Sequence, residues 1–92
     1  MKSIPAYIAE LVGSFFFILT IIASAGNPYI IGAALAVVIL LIGGISGGHV
    51  NPAVSFAMFI NGSLAPADLA SYVVAQLVGG AGAAYAYKMI KG

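Results

Sequence analysis

Three apolar stretches of this chain are each long enough to cross a lipid bilayer, and this feature limits its fold more than any other. An α-helix needs about 20 mainly apolar residues to span the hydrocarbon core. The stretches cover residues 6–25, 29–46 and 66–90, and proline or glycine-rich turns separate them. We therefore predict an all-α protein with three transmembrane helices in a single membrane domain, residues 1–92.

The charge content of the chain agrees with this prediction. Only 5% of the residues are charged and 63% are hydrophobic, whereas a soluble domain carries roughly 25% charged residues. Most of the chain must therefore face lipid or other protein within the membrane, as in a multi-pass integral membrane protein. Its net charge of +1 includes no basic cluster for nucleic acid. With no cysteine, one histidine and two carboxylates, neither an enzyme nor a metal or cofactor site is expected.

The first apolar stretch also has the layout of a secretory signal peptide. Lys2 would be its basic start, residues 11–22 its apolar core, and Ala23-Ser24-Ala25 its cleavage site. Glu10 lies inside the apolar run, and the remainder of the chain is itself nearly all apolar. Both features favour a membrane span over a cleaved signal.

Residues 43–61 fit none of the three spans. Four glycines precede the segment His49-Val50-Asn51-Pro52, and only about eight apolar residues follow it, at 53–60. A stretch this short cannot cross a bilayer. Non-helical backbone at membrane depth is tolerated only where it is buried in protein or lines a water-filled cavity. The segment is thus either a re-entrant loop with a half-length helix or an interfacial loop with a surface helix.

The tripeptide Asn51-Pro52-Ala53 favours a helix start, because Asn is a strong N-cap and Pro suits the first helical position. Helices of soluble proteins often begin this way, so the position of the tripeptide in the chain is more informative than its sequence. A helix that begins inside the membrane directs its free N–H groups and positive dipole end at the adjoining cavity. Residues 47–50 would expose carbonyl oxygens in a row before it. Such a lining suits water or small polar solutes passing one at a time.

The segment Ser46-Gly-Gly-His-Val-Asn-Pro-Ala-Val54 resembles the first-repeat signature of aquaporins and aquaglyceroporins, the major intrinsic protein family. Residues 9–16 resemble the first helix of that family, and residues 72–79 resemble its third. The resemblance covers the whole chain and matches one half-length repeat, the N-terminal half. It implies three transmembrane helices, one re-entrant half-helix and a passive channel.

The resemblance also implies roles for particular residues. Asn51 would stand at the pore midpoint, where its side-chain amide orients the solute. Glu10 would be the buried carboxylate that steadies the re-entrant loop, and Gln76 a second buried polar brace. The residues that would line the pore around the motif are Gly47, Gly48, His49, Asn51, Pro52 and Ala53.

Members of this family carry two such repeats, inverted relative to each other, and this sequence holds one. The simplest hypothesis is an antiparallel homodimer, with four pores from eight chains if the usual assembly of the family applies. Three spans place Lys2 and Asp68 on one side, and Lys88 and Lys91 on the other. The lysine bias that orients membrane proteins is therefore nearly nil. We expect the chain to insert in both orientations.

The narrowest part of the pore departs from the family pattern. The position after the motif, where the second repeat of the family usually has arginine, holds Val54, and the facing position on a spanning helix holds Ile31. The chain contains no arginine. We therefore expect an apolar constriction that admits water and small neutral solutes such as glycerol, urea, ammonia or peroxide.

Two other functions remain open at this point. In the first, the chain is a non-conducting half-channel that needs a different partner. In the second, it is a dual-topology proton-coupled transporter with Glu10 as proton carrier. A transporter of that kind does not need the glycine-rich loop and half-helix, and its flux would depend on a pH gradient.

Overall fold

The computed structural model describes residues 3–92, so the orientation prediction for Lys2 lies outside the described residues. Three of its helices are long and apolar enough to cross a membrane, and the fourth has only 9 residues. This confirms the predicted fold class. The helices are α1 (Ile4–Ala23), α2 (Pro28–Ser46), α3 (Pro52–Ile60) and α4 (Pro66–Lys91).

All four helices begin in the same way, with a proline in the first or second position. Proline fits there because its missing N–H would have no partner inside the helix. The side chains of Asn27 and Asn51 cap α2 and α3 by accepting hydrogen bonds from backbone N–H groups of the first turn. Local sequence therefore sets where each helix starts.

Helix α1 is the centre of the bundle, with α2 on one side and α4 on the other, whereas α3 packs only against α4. Helices α1 and α4 run in the same direction, because Ala6 packs near Tyr72 while Leu11 and Phe15 lie against Gly79. A Cβ atom on Gly79 would overlap the carbonyl oxygen of Leu11. Small residues permit such close approach between membrane helices.

Beyond Ser46 the chain turns back into the bundle. Gly47 and Gly48 adopt positive φ angles of 92° and 64°, which glycine tolerates without strain. A Cβ atom on Gly48 would lie 3.3 Å from Cα of Ile39, about two helical turns before the end of α2. The segment is therefore re-entrant and does not lie along the surface.

The re-entrant segment reaches the middle of the membrane span. Val50 lies against Gly13, the tenth of the 20 residues of α1. Helix α3 starts at this depth and leads the chain back toward the start of α1, where Leu64 packs with Ala6 and Tyr72. The N-terminus of α3 is thus held level with the middle of α1.

Candidate functional site

The carboxylate of Glu10 is fully buried and accepts four hydrogen bonds. Its Oε2 accepts from the hydroxyl of Ser46 (2.7 Å) and the backbone N–H of His49 (3.0 Å). Its Oε1 accepts from the backbone N–H of Val50 (2.8 Å) and Nε2 of Gln76 (2.8 Å). A buried charge is tolerated when donors satisfy it in this way. Glu10 therefore ties α1, the end of α2, the loop and α4 together.

The backbone N–H groups of residues 48–50 donate hydrogen bonds within the bundle, whereas carbonyl oxygens of the loop remain available as acceptors. The N–H of Gly48 donates to Oγ of Ser46 (3.2 Å), as the next two N–H groups donate to Glu10. Within residues 3–92, no hydrogen bond reaches the carbonyl oxygens of Gly47, Gly48 or Val50. Carbonyl oxygens in this state can accept hydrogen bonds from water or from the O–H and N–H groups of a neutral solute.

Val50 has a backbone conformation that β-branched residues seldom adopt, with φ = 45°. Such strain persists only where the surroundings over-determine the conformation. Here the N–H of Val50 is bonded to Glu10, and its side chain packs against Gly13. The position of the loop is therefore imposed by tertiary contacts, not by local preference.

A second set of contacts holds the loop from the side of α4. Nε2 of Gln76 also donates to Oγ of Ser55 (2.8 Å), and Nδ1 of His49 lies 2.9 Å from the same oxygen. The direction of the latter bond depends on the imidazole tautomer. The ring of Tyr72 meets that of His49 edge-on at 5.1 Å, and its hydroxyl donates to the carbonyl of Ser46 (2.6 Å).

The first turn of α3 presents donors at the level of the middle of α1. Oδ1 of Asn51 accepts from the N–H of Ala53 (2.8 Å), its carbonyl accepts from the N–H of Ser55 (3.1 Å), and Pro52 has no N–H. In the part of the chain that the structure describes, the N–H of Val54 and the side-chain amide of Asn51 have no protein partner. Asn51 itself is exposed.

The structure does not bring the two expected constriction residues together in one chain. Ile31 lies in the first turn of α2, partly buried, on the face that also carries the buried Ala34 and Val38. Val54 lies on α3, and helices α2 and α3 do not pack against each other. A constriction formed by both residues therefore requires a second repeat.

The sequence profile of the family described as "Major intrinsic protein" matches residues 1–92, the whole chain. The chain belongs to this family. Members of the major intrinsic protein family are membrane channels and not enzymes, in agreement with the composition. The chain is accordingly an integral membrane protein, with three helices that can span a bilayer.

Curated members of the major intrinsic protein family give the extent of the similarity. The chain is 39% identical to "Glycerol uptake facilitator protein-like 6" of Lactiplantibacillus plantarum, over 89% of this chain and 42% of that protein. It is 43% identical to Aquaporin-8 of Mus musculus, over 79% of this chain and 32% of that protein. Aquaporin TIP2-1 of Arabidopsis thaliana is 31% identical over 100% of this chain and 44% of its own length. The chain thus spans less than half the length of these relatives.

Sequence reasoning missed several polar contacts of the site. It assigned no role to the side chains of Tyr72 and Ser55. Tyr72 and Gln76 stand four residues apart, hence on one face of α4, and this spacing was the available signal. Asp68 was considered only as a charge at one end of the spans, whereas the structure buries it beside Tyr7.

Proposed function

We propose that the chain lines one half of a transmembrane pore for water and small neutral solutes, and that a second copy in the opposite orientation supplies the other half. One observation carries this proposal. The loop directs its N–H groups to Glu10 and leaves carbonyl oxygens without protein donors, and it ends at the exposed amide of Asn51 near the middle of the span.

The chemistry of this lining favours neutral solutes. Loop carbonyls accept hydrogen bonds, while the amide of Asn51 and the N–H of Val54 donate them. A water, glycerol or urea molecule can use both kinds of group in succession. A cation meets the positive end of the α3 dipole, and the nearby carboxylate of Glu10 is fully buried, with its oxygens occupied by four protein donors. The relatives named as aquaporins and as a glycerol facilitator support this solute class.

The uncovered surface of α3 supports a second, inverted copy. Because α3 packs only against α4, several of its apolar side chains remain exposed beside Asn51. An inverted copy related by a two-fold axis in the membrane plane would start its own α3 at the same depth and run it toward the opposite face. Repeats related in this way are common in membrane transport proteins. The exposed α3 residues are Ala53, Phe56, Ala57, Met58 and Ile60.

The inverted arrangement of the two copies also determines which side chains form the constriction. In the inverted copy, α3 runs toward the membrane face at which α2 of the first copy begins. Val54 of one copy and Ile31 of the other then occupy the same half of the pore. Both side chains are apolar, and no arginine is present to add a donor or a positive charge. We therefore propose weaker discrimination among small neutral solutes than an arginine-containing filter provides.

A swelling assay on the purified chain alone tests this function. Stopped-flow measurements on proteoliposomes should show faster water and glycerol movement than in protein-free liposomes. Asn51→Asp keeps an oxygen for the N–H of Ala53 but removes the amide donor and adds a charge at mid-membrane. We expect its permeability to fall about tenfold or more, because an unpaired charge there is costly.

Two outcomes would contradict the parts of this proposal separately. A wild-type chain that is no more permeable than empty liposomes, and forms no even-numbered assembly in detergent, would indicate a half-channel that needs a different partner. A response to water with none to glycerol, urea or ammonia would instead refute the apolar constriction.

Insertion in both orientations can be tested by cysteine labelling. The chain lacks cysteine, so any introduced thiol is unique. Ala25→Cys reports the turn between α1 and α2, and Ser63→Cys reports the turn before α4, at the other ends of the helices. With almost no lysine bias, a membrane-impermeant maleimide added outside cells should label about half of each variant. Complete labelling of one variant and none of the other would rule out insertion in both orientations.

A further inference from the structure

Asp68 is a second buried carboxylate, and the pore lining described above does not use it. It lies in the first turn of α4 and is only 2% exposed. Its Oδ1 accepts a hydrogen bond of 2.6 Å from the hydroxyl of Tyr7, on the first turn of α1. A buried carboxylate in a membrane protein is costly and is usually retained for a function. The contacts beyond Tyr7 indicate what that function is.

Tyr7 connects Asp68 to the start of the re-entrant loop. The ring of Tyr7 packs edge-on against that of Tyr72, with centroids 6.0 Å apart and an interplanar angle of 81°. Tyr72 in turn packs against His49 and donates its hydroxyl to the carbonyl of Ser46, the last residue of α2. Tyr72 is fully buried, so its ring has little freedom to move independently of these neighbours.

Tyr7 also packs against a buried cluster that holds the other end of the re-entrant segment. Together with Phe59 of α3, it packs against the buried cluster of Ala6, Leu64 and Tyr72. Phe59 is near the end of α3, and Leu64 lies in the turn that follows. The buried cluster therefore connects the Tyr7 ring to the residues at which the re-entrant segment ends.

We propose that Asp68 and Tyr7 are positioning residues for the re-entrant segment, acting through Tyr72 on the loop and through the buried cluster of Ala6, Leu64 and Tyr72 on the end of α3. The hydrogen bond restrains the Tyr7 ring, and the ring supports Tyr72 and the buried cluster, which contact the two ends of the segment. This inference rests on the proposed function only in assigning the segment to the pore. The effect on segment geometry is measurable whether or not the chain conducts.

Tyr7→Phe tests the proposal because it keeps the ring and removes only the hydroxyl. Hydrogen exchange of the His49 and Val50 amides should accelerate about tenfold, while exchange in the middle of α2 stays unchanged. Water permeability should fall at the same time. Tyr85→Phe is the matched control, since Tyr85 lies near the far end of α4 and its exposed ring contacts Lys88.

Substitutions at Asp68 separate a hydrogen-bond role from general destabilisation. Asp68→Asn keeps an oxygen acceptor for Tyr7 and should retain most of the loop protection, whereas Asp68→Leu should reproduce the Tyr7→Phe exchange pattern. Unchanged His49 and Val50 exchange in Tyr7→Phe, or equal acceleration in the loop and in α2, would overturn the proposal. If wild-type protein does not conduct, the proposed function fails, and the exchange data still decide the role of the pair.

Discussion

Glu10→Gln is expected to bring permeation close to the liposome background and to leave the amides of the re-entrant loop without protection from exchange. The Glu10 carboxylate has acceptor oxygens on both sides, and each receives two donors. Glutamine offers one oxygen and one NH₂ group, so the NH₂ group must face two of those donors. The Ser46 hydroxyl can rotate to accept a bond, but the backbone N–H groups of His49 and Val50 cannot.

The energetic consequence is large for a single isosteric change. A hydrogen bond to a charged group contributes roughly 1.5–3 kcal/mol, and leaving a buried donor unsatisfied costs about 1–3 kcal/mol. The strained backbone of Val50, with φ = 45°, has no local preference that would restore the loop. We therefore expect the loop to leave its position even where the helices remain packed.

Loop-resolved hydrogen exchange and proteoliposome swelling measure the two effects of Glu10→Gln. The same carboxylate-to-amide change at Asp68 is the comparison, and it should have a smaller effect because asparagine keeps an acceptor for Tyr7. Normal loop protection in Glu10→Gln, combined with loss of a flux that depends on a pH gradient, would contradict this expectation. That result would instead favour a proton-coupled transporter with Glu10 as the carrier.

Gly79→Ala is expected to destabilise the bundle more than any other single-methyl substitution along α4. The added Cβ would overlap the carbonyl oxygen of Leu11 and would lie 3.1 Å from both the backbone nitrogen of Phe15 and Cβ of Ser14. Two of these atoms belong to the α1 backbone and cannot rotate away, so the helices must separate. Overpacking of this kind typically costs about 1–3 kcal/mol. Because Gln76 lies one turn before Gly79, its bond to Glu10 should lengthen as well.

Gly80→Ala is the matched control for this prediction. The same methyl group there would lie 3.6 Å from Cγ1 of Ile18, an ordinary van der Waals contact. We expect Gly80→Ala to be neutral or slightly stabilising, because alanine favours helix more than glycine does. Thermal unfolding in detergent, together with permeability, compares the two variants. Equal midpoints for both would show that the close contact with Leu11 does not limit stability.

The helices were predictable because the bilayer fixes their lengths and proline marks their starts. Their mutual packing was not. The sequence contains small residues at helical spacing at several places, including Gly32 with Ala36 and Gly44 with Gly48. A Cβ atom on Gly32 or Gly44 would meet nothing within 4 Å, whereas one on Gly79 would overlap α1. Which small residue forms a close contact depends on long-range packing, and spacing alone does not encode that.

Site residues were predictable from the sequence where their type is unusual for the surrounding segment. A lone carboxylate within an apolar span drew attention to Glu10, and Asn51-Pro52 marked the start of the half-helix. Ser55 is the one polar residue of α3, but it was a weaker signal than a carboxylate because serine is common where membrane helices pack together. The structure buries Ser55 fully between Gln76 and His49.

The four hydrogen bonds of Glu10 also constrain how the protein is made. Their donors lie between 36 and 66 residues further along the chain. Because the chain is made from its N-terminus, α1 is synthesised before any of these donors. An unpaired acidic residue near the centre of a helix opposes membrane insertion by roughly 2.5–3.5 kcal/mol. The fully apolar residues around Glu10 supply the driving force for that step, and Gln76 completes the satisfied carboxylate only when α4 arrives.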